Sequence, residues 1–482
     1  MLFNSLSFAV FLPVVFALYW IMPNRKRWLV LLLSSCYFYM CWSVKYILLI
    51  LFTTFFSYIC AIVLEKQKEQ RKKRRVVVLE LMISLGILFC FKYFNFVSNS
   101  ISDVLSMFAI KMSSVELKLI LPVGISFYTF QTLGYVIDVY RGEVKAERHF
   151  GRYAAFIAFF PQLVAGPIER TKNLMPQIYG GGGVNFKYER AAYGLRFMAW
   201  GYFKKIVVAD TLAVLVDAVF GSPQTYHGII LLVAVLMFTV QIYCDFSGYS
   251  DIAIGTAKLF GIDLMQNFNS PYFASSIRDF WARWHISLTS WFRDYLYIPL
   301  GGNRVSTSRN VFNVMVTFLA SGLWHGANWT YVIWGGLHGT AQVIQNLLFH
   351  NKSKKRKRES SLGFSTIFVF GFTAFAWTFF RAECVDDAFY IVTHLFQGIG
   401  QPVQYLKEIT LYPGINKLTL LSMAISLLFL FLYDYFSLKT NVLECIAEKG
   451  CFIRWCIYVF FILFIIFNIP PVSGQEFIYF QF

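Results

Sequence analysis

Long apolar segments, separated by short polar runs, follow one another along nearly the whole chain. A helix needs roughly 20 residues to cross a bilayer core, and many of the apolar segments approach that length. Several are too short or too interrupted to cross, so the pattern predicts about 11 transmembrane helices with additional re-entrant and interfacial pieces. The candidate spans are residues 3–22, 28–44, 46–64, 76–97, 117–138, 150–168, 190–220, 228–256, 310–328, 329–349, 363–381, 416–437 and 452–470.

Clusters of Lys and Arg lie between the apolar segments, at 24–27, 71–75 and 352–358. Cytoplasmic loops of membrane proteins carry such clusters, and anionic lipid headgroups attract them. If the loops at 24–27 and 65–75 are both cytoplasmic, the second and third spans form a hairpin and the N-terminus lies outside. The clusters contribute to a formal charge of +17, but a nucleic-acid partner would require a soluble basic face and is not expected.

The composition agrees with a fold that is solvated by lipid. Of the 482 residues, 57% are hydrophobic and 14% are charged, whereas soluble domains carry about 25% charged residues. The nine cysteines show neither CxxC pairs nor the spacing of zinc ligands, so no disulfide framework and no metal site is predicted. Pattern and composition together predict an all-α, polytopic membrane protein.

Segment 276–295 lies within a longer stretch, 267–305, that is too polar to span a membrane and rich in aromatic residues. Its apolar residues recur at helical spacing, and the remaining face carries Arg278, His285, Thr289 and Arg293. The segment is predicted to be one amphipathic helix at a membrane surface or in the mouth of a cavity. A plain interfacial helix, whose polar stripe faces lipid headgroups, explains the same pattern.

The hexapeptide WHGANW at 324–329 joins two apolar stretches that are predicted to form a helical hairpin. In a straight helix that begins near Arg309, His325 lies roughly 24 Å along the span. An imidazole inside a bilayer is costly and usually faces the protein interior or a water-filled cavity. Gly326 beside it allows close approach of other backbone. Such a histidine serves either catalysis or packing, and the pattern alone does not separate the two roles.

Three other polar residues lie in apolar surroundings. His338 would point about 220° away from the histidine of the hexapeptide in a continuous helix, so a structural role is predicted for it. Asp245 and Asp251 are candidates for function, as intramembrane carboxylates usually are. A simpler explanation, which we favour, is that each caps a helix or pairs with an arginine such as Arg283 or Arg293.

Several catalytic signatures are missing from the sequence. It contains no GxxxxGK[ST] phosphate-binding loop, no HExxH, no GxSxG elbow and no GxGxxG. The remaining enzymatic option is general-base chemistry centred on histidine. Imidazole has a pKa near physiological pH, and a positioned base typically increases a rate by about 10²–10⁴.

Seven sequence blocks, distributed in order along the chain, carry a resemblance to a known family. They are PVGISFYTFQ (122–131), FPQLVAGPI (160–168), YCDFSGYSD (243–251), FWARWHISL (280–288), RDYLYIPLGGNR (293–304), SGLWHGANWT (321–330) and FIYFQF (477–482). Together they resemble the membrane-bound O-acyltransferase superfamily, and most of all its alginate O-acetyltransferase branch, which includes peptidoglycan O-acetyltransferases. One departure is Cys244, where relatives often carry an aromatic residue.

The resemblance implies a ring of helices around a thinned centre, crossed by a tunnel that joins a cytosolic to an outer funnel. The acyl donor, acetyl-CoA, would approach from the cytosol and meet the acceptor hydroxyl near the membrane interior or outer face. The resemblance assigns catalysis to His325 and a supporting or tunnel-lining role to His285. Asn328 and Trp324, from the same hexapeptide as His325, are predicted to support or line the site as well. No permanently bound cofactor is expected.

The predicted organisation is a single transmembrane domain of residues 1–482. It comprises N-terminal spans at 1–140, a catalytic core at 141–350 and C-terminal spans at 360–482. The predicted location is the bacterial cytoplasmic membrane, with several spans. Expected partners are anionic lipids and a separate extracytoplasmic acetyl carrier or transferase that completes the modification.

Three alternatives remain open from the sequence. The first is a D-alanyl transferase for teichoic acids that is loaded from a carrier protein rather than coenzyme A. The second is a lipid-linked glycan transporter without chemistry, although no internal repeat is visible in the sequence. The third is a catalytically silent scaffold of a surface-modification complex.

Overall fold

The computed structural model describes residues 1–164, 166–179, 185–348, 363–414, 417–468 and 477–478. Throughout these ranges the regular secondary structure is helical, and no strand occurs in them. The prediction of an all-α protein is therefore confirmed. The basic cluster at 352–358 and most of the terminal block at 477–482 lie outside the described residues.

The chain divides into two compact units. The first consists of Met1–Leu195 and Ala253–Met265, and the second of Arg196–Ile252 and Gln266–Phe482. The first unit contains α1 (Leu6–Ile21), α2 (Arg27–Met40), α3 (Ile47–Lys66), α4 (Gln70–Leu88), α5 (Phe94–Met107), α6 (Ile125–Tyr140), α7 (Phe150–Ile157), α8 (Phe160–Leu163) and α9 (Thr171–Tyr179).

Two helices run from one unit into the other, α10 (Tyr188–Tyr202) and α12 (Ile229–Leu259). The second unit also contains α11 (Asp210–Phe220), α13 (Ile277–Trp281), α14 (Ile286–Phe292), α15 (Thr307–His325), α16 (Trp329–Leu348), α17 (Phe364–Arg381), α18 (Val385–His394), α19 (Pro402–Lys407), α20 (Lys417–Ser437), α21 (Val442–Ala447) and α22 (Cys451–Phe467). Segments of π-helix occur at Phe89–Tyr93, Phe203–Ala209 and Arg293–Tyr297.

Residues 117–138 do not form the single span that the hydropathy predicts. The chain is irregular before α6, which begins only at Ile125. Pro122 has no N–H to donate to a helix. Gly124 adopts φ +75°, and a Cβ there would lie 2.5 Å from the backbone oxygen of Leu163. Glycine is required at this position, and the turn that it forms fixes where the helix starts.

The predicted span at 150–168 is likewise wrong, because the two short helices α7 and α8 replace it. The break exposes carbonyl groups at the end of α7 that a continuous helix would satisfy. Gln131 and Gln162 donate their side-chain N–H groups to the Phe156 carbonyl, at 2.9 and 3.0 Å. These buried amides stabilise the interruption.

The hairpin of α15 and α16 agrees closely with the spans predicted at 310–328 and 329–349. Glycines bring the two helices together. A Cβ on Gly322 would lie 2.3 Å from the backbone oxygen of Tyr331, and one on Gly335 would lie 2.4 Å from the backbone oxygen of Phe318. Small residues at such contacts let helix backbones pack closely, as is common in membranes.

Five helical stretches are long and apolar enough to cross a membrane, within the part of the chain that the structure describes: Ile47–Lys66, Gln70–Met107, Ile229–Leu259, Phe364–Arg381 and Leu420–Ser437. The helices α1 and α22 are apolar but shorter. Many large apolar side chains of these helices are exposed, including Leu6, Phe364 and Phe452, each above 80%. Such surfaces are rare on soluble monomers and are suited to contact with lipid.

Candidate active site

His325 is the last residue of α15, and its ring lies inside the second unit. Only 3% of the residue is exposed. Aromatic rings surround it, with centroid distances of 5.0 Å to Trp324, 5.1 Å to Trp334 and 5.3 Å to Phe380. Low polarity of this kind strengthens any electrostatic or hydrogen-bonding interaction that the imidazole makes.

The chain leaves α15 immediately after His325 because Gly326 is fully extended, with φ −161° and ψ 153°. A Cβ on this glycine would lie 2.0 Å from the ring of Tyr331. Asn328 then accepts a hydrogen bond from the Thr330 N–H at 3.1 Å and donates one to the Glu383 carbonyl at 2.9 Å. The Asn328 amide thus holds the start of α16, and these contacts do not direct it at the histidine.

His285 lies between α13 and α14 in the left-handed conformation, with φ 43° and ψ 52°. The single amphipathic helix predicted for 276–295 is therefore wrong. A residue other than glycine in this conformation costs about 1–2 kcal/mol and persists only where the surrounding structure enforces it. Here the Ile286 N–H donates to the Asn267 carbonyl at 2.9 Å, and the Asn269 N–H donates to the Arg283 carbonyl at 3.0 Å.

Asn267 is the residue of this site that the sequence does not reveal. It is fully buried, and its side-chain oxygen accepts from the Ser287 N–H at 3.2 Å and from the Ser287 hydroxyl at 2.9 Å. Its NH₂ group donates to the Ser250 hydroxyl at 3.2 Å. The only signal in the sequence is an asparagine immediately before Phe268, where the aromatic-rich stretch begins.

Asn267 also determines the tautomer of His285. A backbone N–H only donates, so the Asn267 atom that faces the N–H of Ser287 is the carbonyl oxygen. The same oxygen lies 3.2 Å from Nδ1 of His285. Nδ1 must therefore carry the proton, which leaves the lone pair of the neutral ring on Nε2.

His285 lies outside the helices that are long enough to span a membrane, and burial lowers the pKa of its imidazole to about 3. The ring is therefore neutral at physiological pH. The hydrogen bond to Asn267 holds the His285 ring in one orientation and leaves Nε2 as an acceptor, which suits His285 to binding and orienting a reactant.

The second unit brings three of the four predicted site residues together. The ring centroids of His285 and His325 are 6.2 Å apart, and Trp324 lies 5.8 Å from His285. Asn328 lies three residues after His325, and its amide is hydrogen-bonded to Thr330 and Glu383 instead. The site is thus a pair of buried imidazoles lined by tryptophan and phenylalanine.

A family model described as MBOAT, membrane-bound O-acyltransferase family, matches residues 31–384, which is more than half of the chain. The chain belongs to the membrane-bound O-acyltransferase family. It is therefore an O-acyltransferase and a multi-pass membrane protein, and the alternatives without chemistry are set aside.

Individual relatives agree with this assignment. The chain is 39% identical to Probable alginate O-acetylase AlgI of Azotobacter vinelandii over 398 residues, which cover 82% of this chain and 78% of that protein. It is 36% identical to Peptidoglycan O-acetyltransferase of Helicobacter pylori over 420 residues, 80% of this chain and 78% of the relative. A more distant match is Teichoic acid D-alanyltransferase of Bacillus subtilis, 28% identical over 276 residues, 54% of this chain and 68% of the relative.

His338 of this acyltransferase is fully buried in α16 and contacts Trp334, as His325 does, with both centroid distances at 5.1 Å. The expectation that His338 points elsewhere than His325 applied to a continuous helix, but the chain breaks after His325. The structural role of His338 stays a prediction. Trp281 and Phe372 also contact His338, with centroids at 5.0 and 5.4 Å. Among the described residues, neither nitrogen of His338 has a hydrogen-bond partner.

Asp245 and Asp251 form ion pairs, but with lysines rather than with the arginines that were considered. Lys204 lies 2.5 Å from Asp251, and Lys205 lies 2.5 Å from Asp245 and 2.8 Å from Asp210. All five side chains are at least 89% buried. The sequence signal is the Lys-Lys pair near the centre of the span predicted at 190–220.

Arg283 and Arg293, the arginines named above, pair with acidic residues close in sequence. Arg283 lies 2.9 Å from Asp279, and Arg293 lies 2.8 Å from Asp294. Local partners satisfy both guanidinium groups, so neither is needed by the carboxylates of α12. The lysines of the π-helical segment take that role instead.

Replacing Asn267 by alanine is expected to reduce acyl transfer by about 10–100-fold, by analogy with the loss that follows removal of the group that orients a metal-binding histidine. Asn267→Asp keeps an acceptor oxygen but adds a negative charge, which favours the protonated imidazole of His285. The acid limb of the pH–rate profile is then expected to move to higher pH. An altered melting temperature with a wild-type pH profile would contradict the positioning role.

Proposed function

We propose that this enzyme moves an acetyl group from a cytosolic thioester, acetyl-CoA, to hydroxyl groups of an extracytoplasmic polysaccharide or cell-wall glycan. The observation that supports it best is the pair of buried imidazoles at 285 and 325, inside a family of O-acyltransferases. The names of two relatives, which specify alginate and peptidoglycan acetylation, favour acetyl as the acyl group and a glycan as the acceptor. The proposed location is the bacterial cytoplasmic membrane.

In the proposed reaction His325 is the general base. It takes the proton of the acceptor hydroxyl as the oxygen attacks the thioester carbonyl. The carbon–sulfur bond then breaks, and the leaving sulfur takes up a proton, so that the products are an acetate ester and a free thiol. His285, with its lone pair on Nε2, orients the reactants through a hydrogen bond.

Both substrates must reach an imidazole that is 3% exposed. A tunnel from the cytosolic side to the outer side is therefore part of the proposal, and the aromatic side chains around His325 must separate for it to open. Trp324 and Phe380 contact the ring directly and would line such a passage. Anionic lipids and a separate extracytoplasmic acetyl carrier or transferase complete the proposed system.

The test compares ester groups on the surface polymers of cells with and without this protein. Deletion is expected to remove acetate esters from one polymer, and expression of the full chain is expected to restore them. The acetate released by mild alkali is measured by mass spectrometry. Unchanged acetate in every surface polymer would contradict the proposal.

The D-alanyl alternative is supported by the match to the teichoic acid D-alanyltransferase, which covers little more than half of this chain. The same alkaline hydrolysates distinguish the two functions, since D-alanine and acetate differ in mass. A second comparison incubates the purified protein with acetyl-CoA and with a D-alanyl carrier protein. The proposal requires that only the former stabilises or labels the enzyme.

A further inference from the structure

A cavity of about 260 Å³ lies in the first unit, whereas His285 and His325 belong to the second. It is bounded by the end of α1, the start of α10 and the end of α12. Its lining includes two aromatic and three basic side chains, Trp20, Phe186, Lys187, Arg190 and Lys258. Nothing in the proposed reaction uses these residues.

The cavity is positively charged. Arg190 and Lys258 share one carboxylate, that of Asp263, at 2.7 and 2.8 Å. Lys187 is exposed and has no carboxylate within ion-pair distance among the described residues. Glu189 is exposed and does not line the cavity. Three cations against one shared anion leave an excess of positive charge, which attracts an anionic ligand.

The aromatic wall is fixed in place. Trp20 donates its indole N–H to the Leu259 carbonyl at 3.1 Å, and its ring lies 5.4 Å from that of Phe186. The guanidinium of Arg27 lies 4.5 Å from the Trp20 ring centroid. Arg27 belongs to the basic cluster at 24–27, which the positive-inside rule assigns to the cytoplasm. The cavity therefore lies at the cytoplasmic end of α1.

We propose that this cavity binds a phosphate or diphosphate group from the cytoplasmic side. Lysine and arginine form charge-assisted hydrogen bonds to phosphate oxygens, and an aromatic wall suits an adjacent ring or acyl stem. Two sources carry this chemistry, the nucleotide end of coenzyme A and an anionic phospholipid headgroup. The first source, which the aromatic wall favours, rests on the proposed function. A cavity of this size holds the phosphates with part of a ring rather than a whole coenzyme.

The experiment uses the full chain in phosphatidylcholine nanodiscs and measures binding of coenzyme A and of inorganic pyrophosphate by calorimetry. The wild type is expected to bind both. Lys187→Glu is expected to weaken both about tenfold, because a charged hydrogen bond is replaced by repulsion. Lys68→Glu is the matched control, an exposed lysine between α3 and α4 with the same charge change, and is expected to have no effect. Trp20→Leu is expected to weaken coenzyme A binding more than pyrophosphate binding.

A second arm tests the lipid source with nanodiscs that contain phosphatidylglycerol. If coenzyme A does not bind, but this lipid raises the melting temperature of the wild type and not of Lys187→Glu, the cavity is assigned to a headgroup. If no probe binds, or if Lys187→Glu and Lys68→Glu behave alike, the inference is overturned. His325→Ala should bind coenzyme A normally. A wild-type chain that binds coenzyme A but transfers no acetyl group to any surface polymer refutes the proposed function and leaves the cavity assignment standing.

Discussion

Replacing His325 by alanine is expected to reduce acetylation of the surface polymer by about 10²–10⁴-fold, the usual contribution of a positioned general base. The ring is buried among Trp324, Trp334 and Phe380, where few other groups can accept a proton. These three rings offer no proton acceptor that could replace the lost imidazole. Acetate release from the polymer is measured at matched levels of membrane protein.

The controls separate a chemical role from a packing role. His325→Gln keeps a polar side chain but removes the base, and is expected to be as inactive as the alanine variant. His338→Phe changes the other buried histidine that contacts Trp334, keeps an aromatic ring there, and is expected to remain active. Undiminished acetylation by His325→Ala would rule the assignment out. Equal loss of activity in well-folded His338→Phe would indicate that aromatic packing, not the base, limits the reaction.

Replacing Lys205 by methionine is expected to destabilise the protein by about 3–5 kcal/mol, the typical cost of removing one partner from a buried ion pair. Its ammonium lies within 2.8 Å of both Asp210 and Asp245, and each of these side chains is at most 5% exposed. Removing the lysine leaves two carboxylates to repel each other in a nonpolar environment. The expected result is a lower melting temperature and a reduced yield of folded protein in detergent.

Two further variants test this explanation. In Lys205→Met combined with Asp245→Asn, the charge imbalance is smaller, and part of the lost stability is expected to return. Lys72→Met removes an exposed ion pair with Glu69 and is expected to cost less than about 1 kcal/mol. A melting temperature of Lys205→Met that equals that of Lys72→Met would contradict the structural role of the buried pairs.

The sequence predicts most of what depends on local pattern. The hairpin of α15 and α16 follows from two apolar stretches separated by a hexapeptide with a glycine at its turn. The grouping of His325, His285 and Trp324 follows from the resemblance to known acyltransferases, and the structure places their rings side by side. The division of the chain into N-terminal spans, a catalytic core at 141–350 and C-terminal spans stays a prediction.

What the sequence does not predict depends on contacts between distant residues. Helical spacing from 276 to 295 suggests one helix, but Asn267 binds the backbone after His285 and holds that residue in a left-handed turn. The partners of Asp245 and Asp251 come from another helical segment, so spacing along the chain cannot identify them. Residues 121–124 visibly interrupt the apolar segment at 117–138, but the sequence does not predict that Gly124 fits closely against the Leu163 backbone and fixes where α6 begins.

The most direct test of this account is the sidedness of transfer in sealed vesicles. The full chain is reconstituted with acetyl-CoA, labelled in its acetyl group, supplied only to the face that carries the basic loops, and with the acceptor polymer confined to the opposite face. Labelled ester is expected on the polymer with the wild type, and background label with His325→Ala. Label that appears with His325→Ala, or only when donor and acceptor share one compartment, would contradict the proposed reaction.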